Sequence, residues 1–395
     1  MMISFDEAIG LVKDHVTTLG EESISLEQAA GRVLATPLDA PRDAPVRAVA
    51  AMDGYAVLDA TTEPGQPLRV IGQSAAGAGF KGSLGPGEAV RIFTGAPMPH
   101  GSDRCIMQEH AERDGETVTF TEGYGPGWHV RAAGSDFAAG SRLLSPGAQL
   151  TPRAMVAAAA ADCANVCVST QPRVAIVGTG DELMRPGTAH TRADAIPESV
   201  TYGVAAIAAE AGAMVVERTL GPDDLPALEE LAGAMLDVAD VVIVTGGASV
   251  GERDFAKPMF APHGLDLVFA KVAIKPGKPV WLGRAKGKWV LGLPGNPTSA
   301  MVTARLFLRP LLARLQGQEI DQVLGWRNIP LAAPLKQTGG RETFARARLV
   351  EHGLEPLDNQ ESGSQAALVQ ADWLIRCPPN QPGGNAGQSV IALEF

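Results

Sequence analysis

The sequence predicts a multidomain α/β plus β protein built around a central doubly wound α/β domain, and three observations carry that expectation. The first is length, since 395 residues exceed the roughly 100 to 200 of a typical domain. The second is the stretch from about Pro172 to Leu315, where the continuous apolar runs RVAIV, AMVVERTL and DVVIVT alternate with helical patterns at Tyr202 to Ala211 and Leu225 to Val238. That alternation marks a parallel sheet covered on both faces. The third is the texture of the flanks: short apolar runs between glycine turns from Met52 to about Gly140, and turn-rich alternating segments beyond Gln318. Both read as β-structure.

Taken in order, Ser4 and Glu7 form an S-x-x-E capping box that opens an amphipathic helix with Phe5, Ile9, Val12 and Val16 on one face. A second short helical pattern is expected within 23–40, followed by the linker PRDAP, Pro41 to Pro45. Turns such as GSLGPGEAV and YGPGWHV punctuate the β-rich part. Thr151 as N-cap and Pro152 at the first helical position then return the chain to helix. TFARARLV, DWLIRC and SVIALEF are the expected strands of a small closing β-domain.

Composition excludes several classes. Lys plus Arg number 33 against 44 Asp plus Glu, a net charge of −11, which argues against a general nucleic-acid binder. Any anion must be held in a local positive pocket, because the overall field repels it. The longest conspicuous apolar stretch, Ala154 to Ala161, is far too short to span a bilayer. Asp6 and Glu7 stand where a signal peptide would be basic, and Cys105, Cys163, Cys167 and Cys377 contain no C-x-x-C pair. A cytoplasmic protein with no membrane and no nucleic-acid partner is expected.

In an open α/β sheet, ligands bind outside the carboxyl ends of the strands. RVAIV runs into GTGDEL, placing Asp181 and Glu182 at that edge. DVVIVT runs into GGASVGERD, where Gly246, Gly247 and Gly251 free backbone N–H groups for an anion, beside Ser249 and ahead of Asp254. WVLGLP runs into Pro294-Gly295-Asn296-Pro297, with Asn296 as N-cap and the unpaired N–H groups of Thr298 and Ser299 directed at an anion. Lys271, Lys275 and Lys278 in KVAIKPGKP add side-chain charge, and the Lys271-Ala273-Lys275 alternation on an extended strand makes an oxyanion clamp. The acids Asp181, Glu182, Glu198, Asp223 and Asp254 suit a hard cation such as Mg²⁺ bridging to phosphates. Helix capping competes for some of them: Asp223 or Asp224 precedes the helix from Leu225, and Glu198 or Ser199 precedes the one before it. Gly247 to Gly251 also fits the G-x-S-x-G nucleophile elbow, but His263 and His352 are poorly placed to serve Ser249. No P-loop and no helix-opening G-x-G-x-x-G is present.

The ordered motifs AMDGYAV, RIFTGAPMP, VRAAGSD, TGDEL, TGGASVGERD, KVAIKPGKP and GLPGNPTSA resemble one family over nearly the whole chain. That family is molybdopterin molybdenumtransferase, the MoeA proteins and the C-terminal part of gephyrin. The resemblance implies four parts: an N-terminal helical and linker part, 1–46 with 140–171; an inserted β-rich domain, 47–139; a MogA-like α/β molybdopterin-binding domain, 172–318; and a β-barrel-like C-terminal domain, 319–395. It implies a homodimeric transferase of molybdenum cofactor biosynthesis, with partners among other cofactor-biosynthesis proteins and apo-molybdoenzymes. Molybdate is inserted into adenylylated molybdopterin and AMP is released with Mg²⁺ assisting. Glu182, Asp223, Asp254, Lys271 and Lys275 then belong to the site, and Asp53, Thr94 and Asp136 reach it from the β-rich domain, as catalytic groups. Arg346 and Ser362 bind substrate from the terminal domain, and Glu182, Glu198 and Asp254 hold the metal.

The chain departs from the family pattern in three places. Pro45-Val46-Arg47-Ala48-Val49-Ala50 stands where PPFDNS is usual before AMDGYA. Pro197-Glu198-Ser199-Val200 replaces Tyr-Asp-Ser/Thr-Asn, and Gln365-Ala366-Ala367 replaces a serine-rich stretch. A pterin-binding paralogue that stores or delivers cofactor without catalysing insertion therefore stands beside the transferase as an alternative.

Overall fold

A computed structural model describes residues 2–246 and 254–395. Its centre is a six-stranded sheet in the spatial order Met214–Gly221, Arg173–Thr179, Val241–Thr245, Lys288–Leu293, Trp281–Ala285, Asp266–Phe269. The first four strands are parallel and the last two complete an antiparallel edge. The inner strands Arg173–Thr179, Val241–Thr245 and Lys288–Leu293 are mainly apolar because both faces are buried: Val174 and Ile176 pack with the Val200–Glu210 helix, Ala175 and Val177 with the Leu225–Val238 helix. The chain passes from Arg173–Thr179 to one neighbour and then to the other, so the switch point, where ligands collect in such sheets, lies between Thr179 and Thr245.

The helix Phe5–His15 has the complete capping box, with Ser4 Oγ accepting the Glu7 N–H at 3.2 Å and Glu7 accepting the Ser4 N–H at 2.7 Å. Its apolar face enters the core of the α/β sheet, where Phe5 meets Phe307, Trp326 and Phe344 edge-on. The helical pattern expected within 23–40 is corrected: Glu21–Ser25 is a strand paired with Asn165–Ser169, followed by only a single short helical turn, Leu26–Gln28. A long-range ladder outweighed local propensity there. Residues Ile24 to Leu38 share a separate core with Leu143 to Val168, including the Pro152–Ala160 helix, which Thr151 caps.

The β-rich insertion is a six-stranded mixed sheet in which Gly54–Val57 lies one strand in from the edge. In the C-terminal part, the strands Glu342–Val350, Trp373–Cys377, Ser389–Glu394 and Arg327–Pro330 pair in sequence, and a bridge from Leu331 to Leu354 closes the ring. The strand Ile274–Lys275 leaves the α/β part to pair with Glu342 and Thr343 of this barrel-like unit. Among the described residues no helix is long and apolar enough to cross a membrane.

Candidate functional site

At the switch point a cavity of about 660 Å³ opens on the carboxyl edge of the sheet, lined by Thr179, Gly180, Glu182, Leu183, Ile196 to Val200, Asp223, Thr245, Gly246, Asp254, Pro279, Pro294 to Pro297 and Gln365. Its floor requires glycine. Gly246 has φ +95°, and a Cβ there would lie 2.6 Å from the Thr179 carbonyl oxygen. A Cβ on Gly295 would press to 3.2 Å from the Gly246 Cα. The three strand-end loops thus meet backbone to backbone.

Of the expected catalytic groups, Glu182, Asp223 and Asp254 line this cavity. Asp254 is the most unusual: its Oδ1 is buried and has no hydrogen-bond partner among the described residues. Burial pushes its carboxyl above the ordinary 3.8, while Lys257 and Lys271 pull it back. Asp223 donates its backbone N–H to Asp181 Oδ1 at 3.0 Å, so Asp181 ties down the adjoining loop. No histidine lines the cavity, and His263 Nε2 is occupied by the Glu229 carbonyl at 2.7 Å, which removes the hydrolase triad. Gly247 and Ser249 lie outside the described residues.

Glu198, expected as a metal ligand, also lines the cavity and caps the helix that follows it. It is 4% exposed, and its two oxygens accept the Thr201 N–H and the Thr201 hydroxyl, each at 2.6 Å. Arg218 approaches one of them at 3.8 Å while stacking on Tyr202. The first turn of a helix draws a carboxylate strongly, and each oxygen of Glu198 already accepts one hydrogen bond. Asp224 likewise caps the Leu225–Val238 helix through Ala227 N–H. Among the described residues no three His, Cys, Asp or Glu side chains gather in a metal-holding cluster.

A second correction concerns the Pro297–Thr303 helix. Its Thr298 N–H is not free for an anion but donates to the Ser362 carbonyl at 3.1 Å, because the loop 359–364 of the terminal part lies over the helix end. Asn296 makes no capping bond and donates instead to Ser362 Oγ at 3.1 Å. Arg346 locks this arrangement: only 1% exposed, it donates to Thr298 Oγ1 and to the Asn359 and Glu361 carbonyls at 3.1 to 3.3 Å. It is a buried brace and not part of the cavity wall, as are Thr298 and the buried Ser299.

The lysine clamp is also modified. Lys271, Lys275 and Lys278 are exposed and none lines the cavity, and the expected strand is confined to Ile274–Lys275. Lys271 is nonetheless close enough to Asp254 to act on its charge. The lysine missed by sequence reasoning is Lys257, half-buried over the Trp281 ring at 5.5 Å and held below its usual value by burial. Its spacing of three residues after Asp254 was the available signal.

Asp53, Thr94 and Asp136 do not line the cavity in this chain. Asp53 Oδ1 accepts both the backbone N–H and the hydroxyl of Thr94 at 2.7 Å, which holds its carboxyl below the ordinary range. Asp136 is exposed. Gln365 does reach the cavity, donating to Ser199 Oγ at 3.0 Å, so two segments that depart from the family pattern touch across its mouth, through the one residue of 197–200 that keeps the family's hydroxyl.

Comparison with known proteins places residues 3–161 in the MoeA N-terminal region (domain I and II), 175–314 in the probable molybdopterin binding domain and 328–395 in the MoeA C-terminal region (domain IV). A molybdopterin molybdenumtransferase of Haemophilus influenzae is 35% identical over 95% of this chain and 94% of its own. Molybdopterin molybdenumtransferase 2 of Mycobacterium tuberculosis is 36% identical over 83% of each. A solved molybdopterin biosynthesis MoeA protein from Pyrococcus horikosii superposes with a TM-score of 0.81 at 28% identity, covering 100% of this chain and 99% of the other.

Proposed function

Because the chain belongs to the molybdopterin molybdenumtransferase (MoeA) family, we propose that the cavity at the sheet edge binds adenylylated molybdopterin and that molybdate is inserted there with release of AMP. The coarser statement stands on the family itself: the chain is a transferase of molybdenum cofactor biosynthesis, acting on molybdopterin and molybdate. The observation that supports the finer reading is Asp254 Oδ1, a buried carboxylate oxygen without a partner in a cavity floored by Gly246 and Gly295. A phosphate approaching backbone N–H groups at such a floor needs no side chain to yield.

Asp254 fits a Mg²⁺ ion in the manner usual for that cation, with one or two carboxylates supplemented by substrate phosphates. Asp254, with Asp223 or Glu182 beside it, would hold the ion, and bound Mg²⁺ would neutralise charge on the phosphoanhydride. Lys257 and Lys271 contribute positive charge beside Asp254 and orient the phosphate side of the substrate. Asp53, Thr94 and Asp136 complete the site from the β-rich domain of a second subunit in a homodimer.

The contact of Gln365 with Ser199 favours keeping the non-catalytic binder as a second reading, since it joins the two segments, 197–200 and 365–367, that depart from the family pattern at the site's mouth. The deciding experiment is single-turnover AMP release from adenylylated molybdopterin with and without molybdate. Molybdate-dependent release that falls at least about tenfold in Asp254→Ala is expected for a lost charge contact. Tight pterin binding with no AMP release at saturating molybdate and Mg²⁺ would overturn the transferase chemistry and leave the binder.

A further inference from the structure

A second cavity, of about 710 Å³, lies farther along the Val200–Glu210 helix, between that helix, the Ala304–Leu308 turn and the terminal part of the chain. Three arginines, Arg305, Arg309 and Arg327, line it, and none makes an ion pair among the described residues; the Arg327 guanidinium lies over the Trp373 ring at 5.7 Å.

Arg305 is 5% exposed. Its Nε donates to the Glu394 carbonyl at 2.8 Å and its Nη2 to the Val323 and Leu324 carbonyls at 3.3 and 3.2 Å. All three carbonyl residues line the cavity, so the guanidinium is set into its wall, yet the buried Nη1 has no partner. Burying a cation is costly, and burial, with the neighbouring Arg309, pulls Arg305 down to about 10 although the charge of Glu394 acts the other way. The residue sits in a π-helical turn, Ala304–Leu308, a geometry frequent at functional sites. Two acids, Glu210 and Glu394, also line the cavity, and neither pairs with a guanidinium. Ile207, Leu324 and Leu368 supply apolar wall.

We propose that this cavity is a second ligand site, separate from the pterin cavity, taking an organic anion: one carboxylate, sulfonate or phosphate head carried on an apolar body. The head pairs with the positive charge that Arg309 and Arg327 bring to the cavity, with the buried Arg305 behind them in its wall, and the body fills the apolar wall. The volume is right for such a molecule, within the roughly 300 to 1,000 Å³ usual for small-ligand sites, and far larger than a bare inorganic anion needs. The assignment does not depend on the pterin chemistry.

The test uses the full chain and 1-anilinonaphthalene-8-sulfonate as the fluorescent probe, with neutral N-phenyl-1-naphthylamine as its uncharged counterpart. One saturable sulfonate site per chain is expected, with the neutral probe about tenfold weaker, the scale of one charge-assisted contact. Arg309→Gln and Arg327→Gln should each weaken the sulfonate by a similar factor and leave the neutral probe unchanged, with circular dichroism confirming the fold. Should an arginine variant fail to fold, Ala206→Trp, on an exposed position of the cavity wall, fills the space and should abolish binding of both probes. Equal affinity for charged and neutral probes, or sulfonate binding unchanged in Arg309→Gln/Arg327→Gln, overturns the proposal. So does sulfonate binding that is lost in Lys271→Ala, which would place the probe beside Asp254 instead.

Discussion

Glu198 gives the sharpest separation between two roles for one carboxylate. As a cap, it accepts two hydrogen bonds from Thr201 at 2.6 Å while only 4% exposed. Truncation to Ala removes an N-terminal cap worth about 1 to 2 kcal/mol and the buried stem, worth about 1 kcal/mol more. The Arg218 contact at 3.8 Å adds little, since Arg218 is 33% exposed and remains on the Tyr202 ring. Glu198→Ala should therefore lose about 2 to 3 kcal/mol in urea unfolding. Glu198→Gln keeps the stem and an acceptor for the Thr201 N–H, and should lose only about 1 kcal/mol, the difference between charged and neutral acceptors. The Mg²⁺ dependence of AMP release should be unchanged in Glu198→Gln. A metal ligand would behave in the opposite way, and near-normal stability in Glu198→Gln with at least about a tenfold rise in the Mg²⁺ requirement would refute the capping argument.

Two further perturbations probe the site's supports. Arg346→Met removes three donations that hold the 359–364 loop over the Pro297–Thr303 helix, and is expected to cost about 1 to 3 kcal/mol and to speed hydrogen exchange of the Thr298 N–H, now covered by Ser362. Unchanged exchange there would show that the loop holds itself in place. Asp254 carries a folded-state carboxyl raised chiefly by burial, so the folded chain binds that proton more tightly than the unfolded one. Its favourable contribution exists at acid pH and is lost as pH rises from the unfolded value through the raised folded value. Asp254→Asn should then gain Tm relative to the parent as pH rises from about 4 to about 7, and a difference independent of pH would contradict the burial argument.

Much of the α/β part was legible in the sequence because its signals are local. RVAIV, DVVIVT and WVLGLP each end at the cavity, and the glycines at 246 and 295 are required by backbone contacts at those strand ends. What was not legible depends on residues far apart in the chain. Nothing around Thr298 shows that the carbonyl of Ser362 already occupies its N–H, and nothing around Glu21 announces a ladder to Ser169. Glu198 was ambiguous for a different reason: a carboxylate just before a helix is equally suited to capping and to coordination until its hydrogen bonds are seen. Lys257 was overlooked because its neighbours look like an ordinary turn, although the fold brings it over Trp281.

The placement of Phe5 has a consequence for how the chain is made. Its ring is buried between Phe307, Trp326 and Phe344, so the Phe5–His15 helix cannot complete its packing until the barrel-like unit has been translated. At roughly 5 to 20 residues per second, that interval is on the order of 20 to 70 s. Throughout it Phe5, Ile9 and Val12 present an unsatisfied apolar face on a nascent chain, an opening for chaperone capture that closes only when the two remote segments meet.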